Sequence, residues 1–329
     1  MKEKRSLFSK EASAWFRGFG IFMVIMSHYA QWWTWFHVEE GYRELIRLAI
    51  SKMGPYGVGI FFLFSGYGLA KSAGKERVTL FFVVKRIVNV YLPYLIIVLL
   101  IEVVSGGFES KEDFFRILHG QDFWYMTVIF LFYVGFMIIW FLFKNSHLRI
   151  LFLLVFIYAC NYVMKESGKQ DFWYISNWSF AIGTVLAVYE SKIKRIWDKI
   201  AIILTVVLAA MTTGVIYSGL FVAHQWTLPE KEIICRMWAV IIFTLFIGSF
   251  ASWWKIYDPI LQFIGKYSLY FYLTHTFLFM AVINSIEVSF GLRYVAATVV
   301  IIAVSLLLGI IIEFLCTLIL RYINRRLIK

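Results

Sequence analysis

Charge is what this sequence has least of. Asp, Glu, Lys and Arg together make up 16% of the 329 residues, while 61% are hydrophobic and 20% aromatic. A soluble domain carries about 45–50% apolar residues, so a water-soluble globule is excluded and the chain reads as a polytopic membrane protein. Cysteine is scarce as well. Cys160, Cys235 and Cys316 all fall in apolar runs and are odd in number, which argues against a disulfide framework and against a thiolate metal site. No metal is expected. Of the four prolines, Pro55, Pro229 and Pro259 flank apolar runs and Pro93 lies near the start of one, so helices broken in the manner of transporters get little support. The opening MKEKRSLFSK is basic, but the apolar run behind it is long and has no small-residue cleavage site. It is therefore read as a retained first span rather than a removed signal.

What is present is a series of apolar runs long enough to cross a bilayer, each of about 17 residues or more. They cover residues 14–36, 55–73, 87–104, 123–143, 148–164, 172–189, 200–222, 233–253, 259–284 and 294–320. The expected fold is thus all-α, with about ten transmembrane helices. With the amino terminus in the cytoplasm, the larger share of the 32 Lys and Arg falls in cytoplasmic segments, including 71–86, 192–199 and the terminal RYINRRLIK. That bias places both termini inside. It also accounts for the net charge of +12, so no nucleic-acid partner is implied. The last span ends close to Lys329, and the expectation is a single integral-membrane domain over 1–329 with no appended soluble domain. Between the first two spans, Glu39, Glu40, Arg43, Glu44 and Arg47 alternate with Leu45, Ile46, Leu48 and Ile50, the pattern of an amphipathic segment on the outer surface.

Within the first span, WFRGFGIFMVIMSH, Arg17 and His28 interrupt sequence otherwise suited to lipid. Eleven residues at ~100° each bring them back to one helix face, offset by about 16 Å along the axis. Trp15 and the cluster Trp32, Trp33 and Trp35 bracket the span as two aromatic belts. Arg17 then sits near one interface and His28 beyond the midplane. Ionisable groups at such depth usually face a bundle interior or a water-filled path, although snorkelling of Arg17 and one interhelical hydrogen bond from His28 would also account for them.

Three further stretches carry polarity that a lipid-facing helix does not need. In GVGIFFLFSGYGLAKS, Gly57, Gly59, Gly66 and Gly68 with Ser65 form a stripe of small residues that lets another helix approach closely. KRIVNVYLP puts Lys85 and Arg86 at the cytoplasmic end of a span, where they serve as positive-inside anchors or as a site for an anionic ligand such as a phosphate. IGKYSLYFYLTH places Lys266, Tyr267, Tyr270, Tyr272 and His275 in what reads as a single span, and two intramembrane histidines in one chain allow proton handling. Arg236 and Glu313 are further in-span charges able to neutralise each other.

These stretches, in this order, resemble the acyltransferase 3 family. RGFGIFMVIMSH has the Arg, ten residues, His spacing that opens its members. GIFFLFSGYGLAKS resembles the FFxLSG segment, FIGKYSLYFYLTH the SYxxYLxH segment, DFWYM the WF or WY start of a middle span, and SFAIGTVLAVY a later glycine-bearing span. One departure stands out: where members commonly show Arg-x-x-Arg before the proline of the third segment, Arg86 is followed by Asn89. Lys85 is the neighbouring cation that would supply the missing charge.

The resemblance implies an integral-membrane O-acyltransferase that moves an acyl group, usually acetyl, from cytoplasmic acyl-CoA to a hydroxyl of a sugar or lipid-linked glycan of the cell envelope. No permanently bound cofactor is implied; acyl-CoA is a substrate, and the setting is the bacterial cytoplasmic membrane. His28 is the expected general base, since a poorly solvated imidazole stays neutral. Arg17 would hold the donor, with Lys85 and Arg86, and His275 is the second catalytic candidate. Ser65, Tyr67, Trp124, Lys266, Tyr267 and Tyr270 are expected to support substrate or structure. The arrangement requires a water-accessible route joining Arg17 to His28. The competing expectation is a proton-coupled transporter or flippase, with Arg17, His28, Lys266 and His275 along its path.

Overall fold

A computed structural model describes residues 6–36, 49–74, 80–104, 106–107, 110–111, 115, 123–221, 229–255, 257–285 and 292–327. Every regular element among them is helical: α1 (Lys10–Phe36), α2 (Gly54–Ala73), α3 (Leu80–Val104), α4 (Trp124–Leu142), α5 (Ser146–Glu166), a 3₁₀ turn (Asp171–Trp173), α6 (Trp178–Val188), α7 (Glu190–Phe221), α8 (Pro229–Trp253), α9 (Pro259–Lys266), α10 (Ser268–Ser285) and α11 (Leu292–Leu327). Among the described residues, five stretches are long and apolar enough to cross a membrane: Trp124–Leu142, Ser146–Glu166, Glu190–Val215, Glu232–Trp253 and Val299–Ile319. Many large apolar side chains on α5, α7 and α11 face outward, Leu151, Val155, Ile203 and Leu307 among them. In water such faces would associate; against hydrocarbon they are at rest. The outer amphipathic segment expected around Glu39 to Ile50 lies almost wholly outside the described residues.

Two expected spans and one expected cytoplasmic segment differ in detail. The run 172–189 holds only the 11 residues of α6 as α-helix, about 16 Å of rise and well short of a ~30 Å hydrocarbon core. Residues 192–199, expected as a cytoplasmic segment, are helical and belong to the first turns of the 32-residue α7. The run 259–284 is two helices rather than one. It breaks at Tyr267, whose carbonyl accepts the N–H groups of both Tyr270 and Phe271. Gly265 and Ser268, both weak helix formers, flank the break. Lys266 therefore ends α9, whereas Tyr270, Tyr272 and His275 stand on α10.

The chain forms two compact units, Met1–Val78 with Val134–Lys266, and Thr79–Tyr133 with Tyr267–Lys329. In the first, α1 and α2 run antiparallel. Gly57 lies against the Gly20 carbonyl and Gly54 against Ser27 at one end, while Phe16 stacks on Phe64 and the Phe8 ring packs tilted against Tyr67 toward the other. The stripe of small residues does what its spacing predicts at three of its four glycines: Gly57 meets α1, Gly59 meets Ser179 and Thr244, and Gly66 meets the Phe180 carbonyl. Gly68 faces open space. Gly183 returns the contact from α6, since a Cβ there would stand 2.0 Å from the Leu63 carbonyl oxygen. In the second unit α10 packs on α11, and α3 packs on both. Tyr94, fully buried, anchors an aromatic cluster with Phe123, Phe130 and Tyr91.

Candidate active site

α1 is one unbroken helix across the Arg17 to His28 interval, so the shared face inferred from spacing holds. Ser9 caps its start, with Oγ accepting the Ala12 N–H at 3.0 Å. Backbone and Ser9 hydrogen bonds hold the Glu11 carboxyl in the first turn below the usual range. Arg17 is half-buried, and its Nε donates to the Ser13 carbonyl at 3.1 Å. The side chain thus lies back toward the helix start, as long side chains on helices do. His28 is half-buried with its ring tilted over Trp32 at 5.5 Å. Between them on the same face stand Ile21 and Val24, both buried.

Two glycine contacts fix the surroundings of Arg17. A Cβ on Gly18 would meet the Leu261 carbonyl oxygen at 2.0 Å, and one on Gly265 the Ala14 carbonyl oxygen at 1.7 Å. α9 is thereby laid backbone to backbone along the turn that bears Arg17, and Lys266, next to Gly265, stands at the level of residues 14–18. Sequence reading nominated both cations; the docking of α9 on α1 depends on two glycines whose partners lie about 240 residues away in the chain, which no local pattern reveals.

At the His28 end, Ser27 Oγ donates to the Ser51 carbonyl, and Gln31 Nε2 donates to Ser27 Oγ at 3.2 Å and to the same carbonyl at 3.1 Å. These residues, missed in the sequence, hold the turn carrying His28 against the start of α2. Nearby, Ser176 Oγ donates to the Pro55 carbonyl at 2.8 Å, and Tyr56 packs edge-on to Phe243 of α8. Arg236 pairs with Asp171 of the 3₁₀ turn, not with Glu313. The charge that looked buried in a span is neutralised by a carboxylate that sequence reading left aside. Replacing Arg236 by Met is expected to cost stability, and the Asp171→Asn, Arg236→Met double variant to recover part of that loss in thermal unfolding.

The opposite end of this unit is closed by a clasp. Glu190 accepts hydrogen bonds from the Leu7 N–H, the Tyr67 hydroxyl at 3.1 Å and Lys71 Nζ. Tyr67, expected to support substrate or structure, is occupied structurally, and its oxygen also accepts the Phe8 N–H. Glu190→Ala strips three donors of their acceptor. It should lower stability by about 2 kcal/mol, read as a lower unfolding midpoint of the purified protein. Ser65 of α2 is half-buried.

In the second unit His275 is buried, with Nδ1 at 2.8 Å from the Phe271 carbonyl and 3.0 Å from that of Tyr272. Two carbonyl neighbours require Nδ1 to carry the proton, which makes Nε2 the acceptor atom, at 3.4 Å from the Thr276 hydroxyl. Tyr267 and Tyr270 are both buried with ring centroids 6.2 Å apart, Tyr270 lies against Gly309, and Trp124 packs edge-on to Tyr125. Lys85 and Arg86 are helical in α3, but their side chains lie outside the described residues. Among the described residues no cluster of His, Cys, Asp or Glu suits a metal ion.

Apolar helices long enough to cross a bilayer, with large apolar side chains facing outward, mark a multi-pass helical membrane protein. The acyltransferase domain model of the acyltransferase 3 family matches residues 12–313, nearly the whole chain. The chain belongs to that family and is a membrane acyltransferase. Neither the curated proteins nor the solved structures yield a match.

Proposed function

We propose that the protein transfers an acyl group, most simply acetyl, from cytoplasmic acyl-CoA to a hydroxyl of an envelope or exported glycan. The observation that supports this reading is the placing of His28 three turns from Arg17 on one face of α1, with α9, which ends at Lys266, docked along the turn that bears Arg17. Two cations at one end suit the phosphates of the donor. A titratable imidazole at the other end suits the acceptor hydroxyl. The whole chain, 1–329, acts as one functional domain with about ten crossings and both termini inside, in the orientation the Lys and Arg bias favours. The acyl-CoA then meets Arg17 from the cytoplasm, with Lys85 and Arg86 the further candidates for its phosphates, and its thioester reaches toward His28, which requires a water-accessible route past the buried Ile21 and Val24.

In the chemical step His28 takes the proton of the acceptor hydroxyl as its oxygen attacks the thioester carbonyl. The C–S bond then breaks, and the CoA thiolate leaves and recovers a proton from the imidazolium. His275, with Nε2 as its lone-pair atom, is the second candidate for a catalytic role. Arg17→Ala should raise the KM for acyl-CoA by on the order of tenfold with a smaller change in kcat, the mark of lost ground-state binding. An unchanged donor KM overturns this docking direction. The reading as a whole is tested by incubating purified protein with labelled acetyl-CoA and a panel of envelope glycans. Label covalently attached to a glycan supports it, and CoA release with no acylated acceptor contradicts it.

A further inference from the structure

Away from α1, a cavity of about 260 Å³ opens at the Lys71 end of the first unit. Its walls come from four helices: Lys71 and Ala73 of α2 with Gly74 behind them, Trp140 of α4, Ser146 and Arg149 of α5, and Ala187 of α6. Arg149 lies over the Trp140 ring at 5.3 Å. Its Nε donates to the Phe143 carbonyl at 2.6 Å and its Nη2 to the Trp140 carbonyl at 3.0 Å. Capping the end of α4 in this way uses two of the five guanidinium N–H donors. Among the described residues no carboxylate comes within salt-bridge distance of it. Lys71 shares Glu190 with the clasp, and its side chain is 29% exposed. With two cations and one carboxylate the cavity is net positive. Lys192, beside the Tyr189 ring at 5.7 Å, adds to that field near the rim, where Tyr189 also meets His147 at 2.7 Å.

The surroundings of the mouth are apolar. Phe141 is 78% exposed and Leu142 63% exposed immediately after Trp140, and Leu148 and Phe152 of α5 face outward beside them. A soluble phosphate compound has no use for such a rim. A molecule with an anionic head and hydrocarbon chains fits both parts. We propose that this cavity is a structural site for the headgroup of an anionic membrane phospholipid. The phosphate is held by Arg149 and Lys71 with the Ser146 hydroxyl, and the acyl chains lie along α4 and α5. Guanidinium and ammonium donors facing a phosphodiester, with the surface potential of an anionic leaflet behind it, are the ordinary chemistry of such recognition. The site is separate from the donor and acceptor roles of Arg17 and His28.

The test uses the full chain purified from membranes and reconstituted in nanodiscs of phosphatidylcholine with 20%, by design about one lipid in five, of labelled phosphatidylglycerol. After transfer to detergent, the label retained per protein is counted. Gly74→Leu is the informative variant. The backbone there has φ −81°, and a Cβ meets nothing nearer than the Ala70 carbonyl oxygen at 3.5 Å, so it fills the cavity without disturbing a charge. Wild type should retain phosphatidylglycerol over phosphatidylcholine by about tenfold or more, and both Gly74→Leu and Arg149→Gln should lose most of that preference, Gly74→Leu with an unchanged unfolding midpoint. Equal retention of the two lipids by wild type, or an undiminished preference in Gly74→Leu, overturns the proposal. Displacement of the label by millimolar inorganic phosphate or by CoA also overturns it, by assigning the cavity to a soluble phosphate. Lipid retention is read apart from acyl transfer, so a failure of the lipid site leaves the transfer assay of the wild-type protein to be judged by itself.

Discussion

Substituting His28 by Ala is expected to lower acyl transfer by about 10²–10⁴-fold, the range that a positioned general base contributes. The fold should survive the change. His28 is half-buried, whereas the contacts that hold its turn in place are made by Ser27 and Gln31 to the Ser51 carbonyl and by Gly57 to Gly20. The donor KM should stay near the wild-type value, because Arg17 and Lys266 stand about three helical turns away. His28→Gln, which keeps volume and polarity but cannot act as a base near neutral pH, should be as inactive as His28→Ala. Transfer of label from acetyl-CoA in both variants, alongside thermal unfolding of each, decides the matter. Undiminished turnover in His28→Ala would move the base to another residue, with His275 the next to test.

The largest structural effect is expected at Gly183. Its missing side chain lets α6 approach α2 until the Leu63 carbonyl oxygen stands 2.0 Å from where a Cβ would be, with the Tyr67 N at 2.9 Å. Both obstructing atoms are backbone, so no rotamer change relieves the clash and the helices must separate. That separation also pulls on Gly66 against Phe180 and on the clasp that joins Tyr67, Lys71 and Glu190. Gly183→Leu should therefore cost about 3 kcal/mol or more, the upper end for overpacking. Gly68→Leu, on α2 with nothing within 4 Å, should be near neutral. Unfolding midpoints in a single detergent separate the two. A Gly183→Leu protein that melts with wild type would mean the backbone approach is not what holds this unit together.

Much of this was legible in the sequence, for reasons that can be traced to particular residues. The shared face of Arg17 and His28 follows from helical period alone, and the close packing of Gly57, Gly59 and Gly66 from their spacing on one helix. The ordered stretches from Arg17 to His275 also pointed to the family that the domain model matches. What sequence reading lost was the identity of partners. Sequence reading offered Arg236 only Glu313, and the fold gives it Asp171. Glu190 was not singled out in the sequence, yet three donors from α2 and the amino-terminal segment converge on it. Apolar content also overstates spans. Tyr267 divides one long hydrophobic run into α9 and α10, because docking of Gly265 onto α1 commits the first piece to a neighbour that hydropathy cannot represent.

Sided transfer is the most direct measurement. The protein is reconstituted into sealed vesicles with labelled acetyl-CoA supplied on the face bearing the amino terminus and a glycan acceptor enclosed on the other. Acyl transfer from the cytoplasm through His28 to an exported acceptor requires label to appear on the enclosed glycan, to depend on acyl-CoA, and to vanish in His28→Ala. Glycan that crosses the membrane without gaining label, or label that reaches the acceptor equally well in His28→Ala, would contradict it.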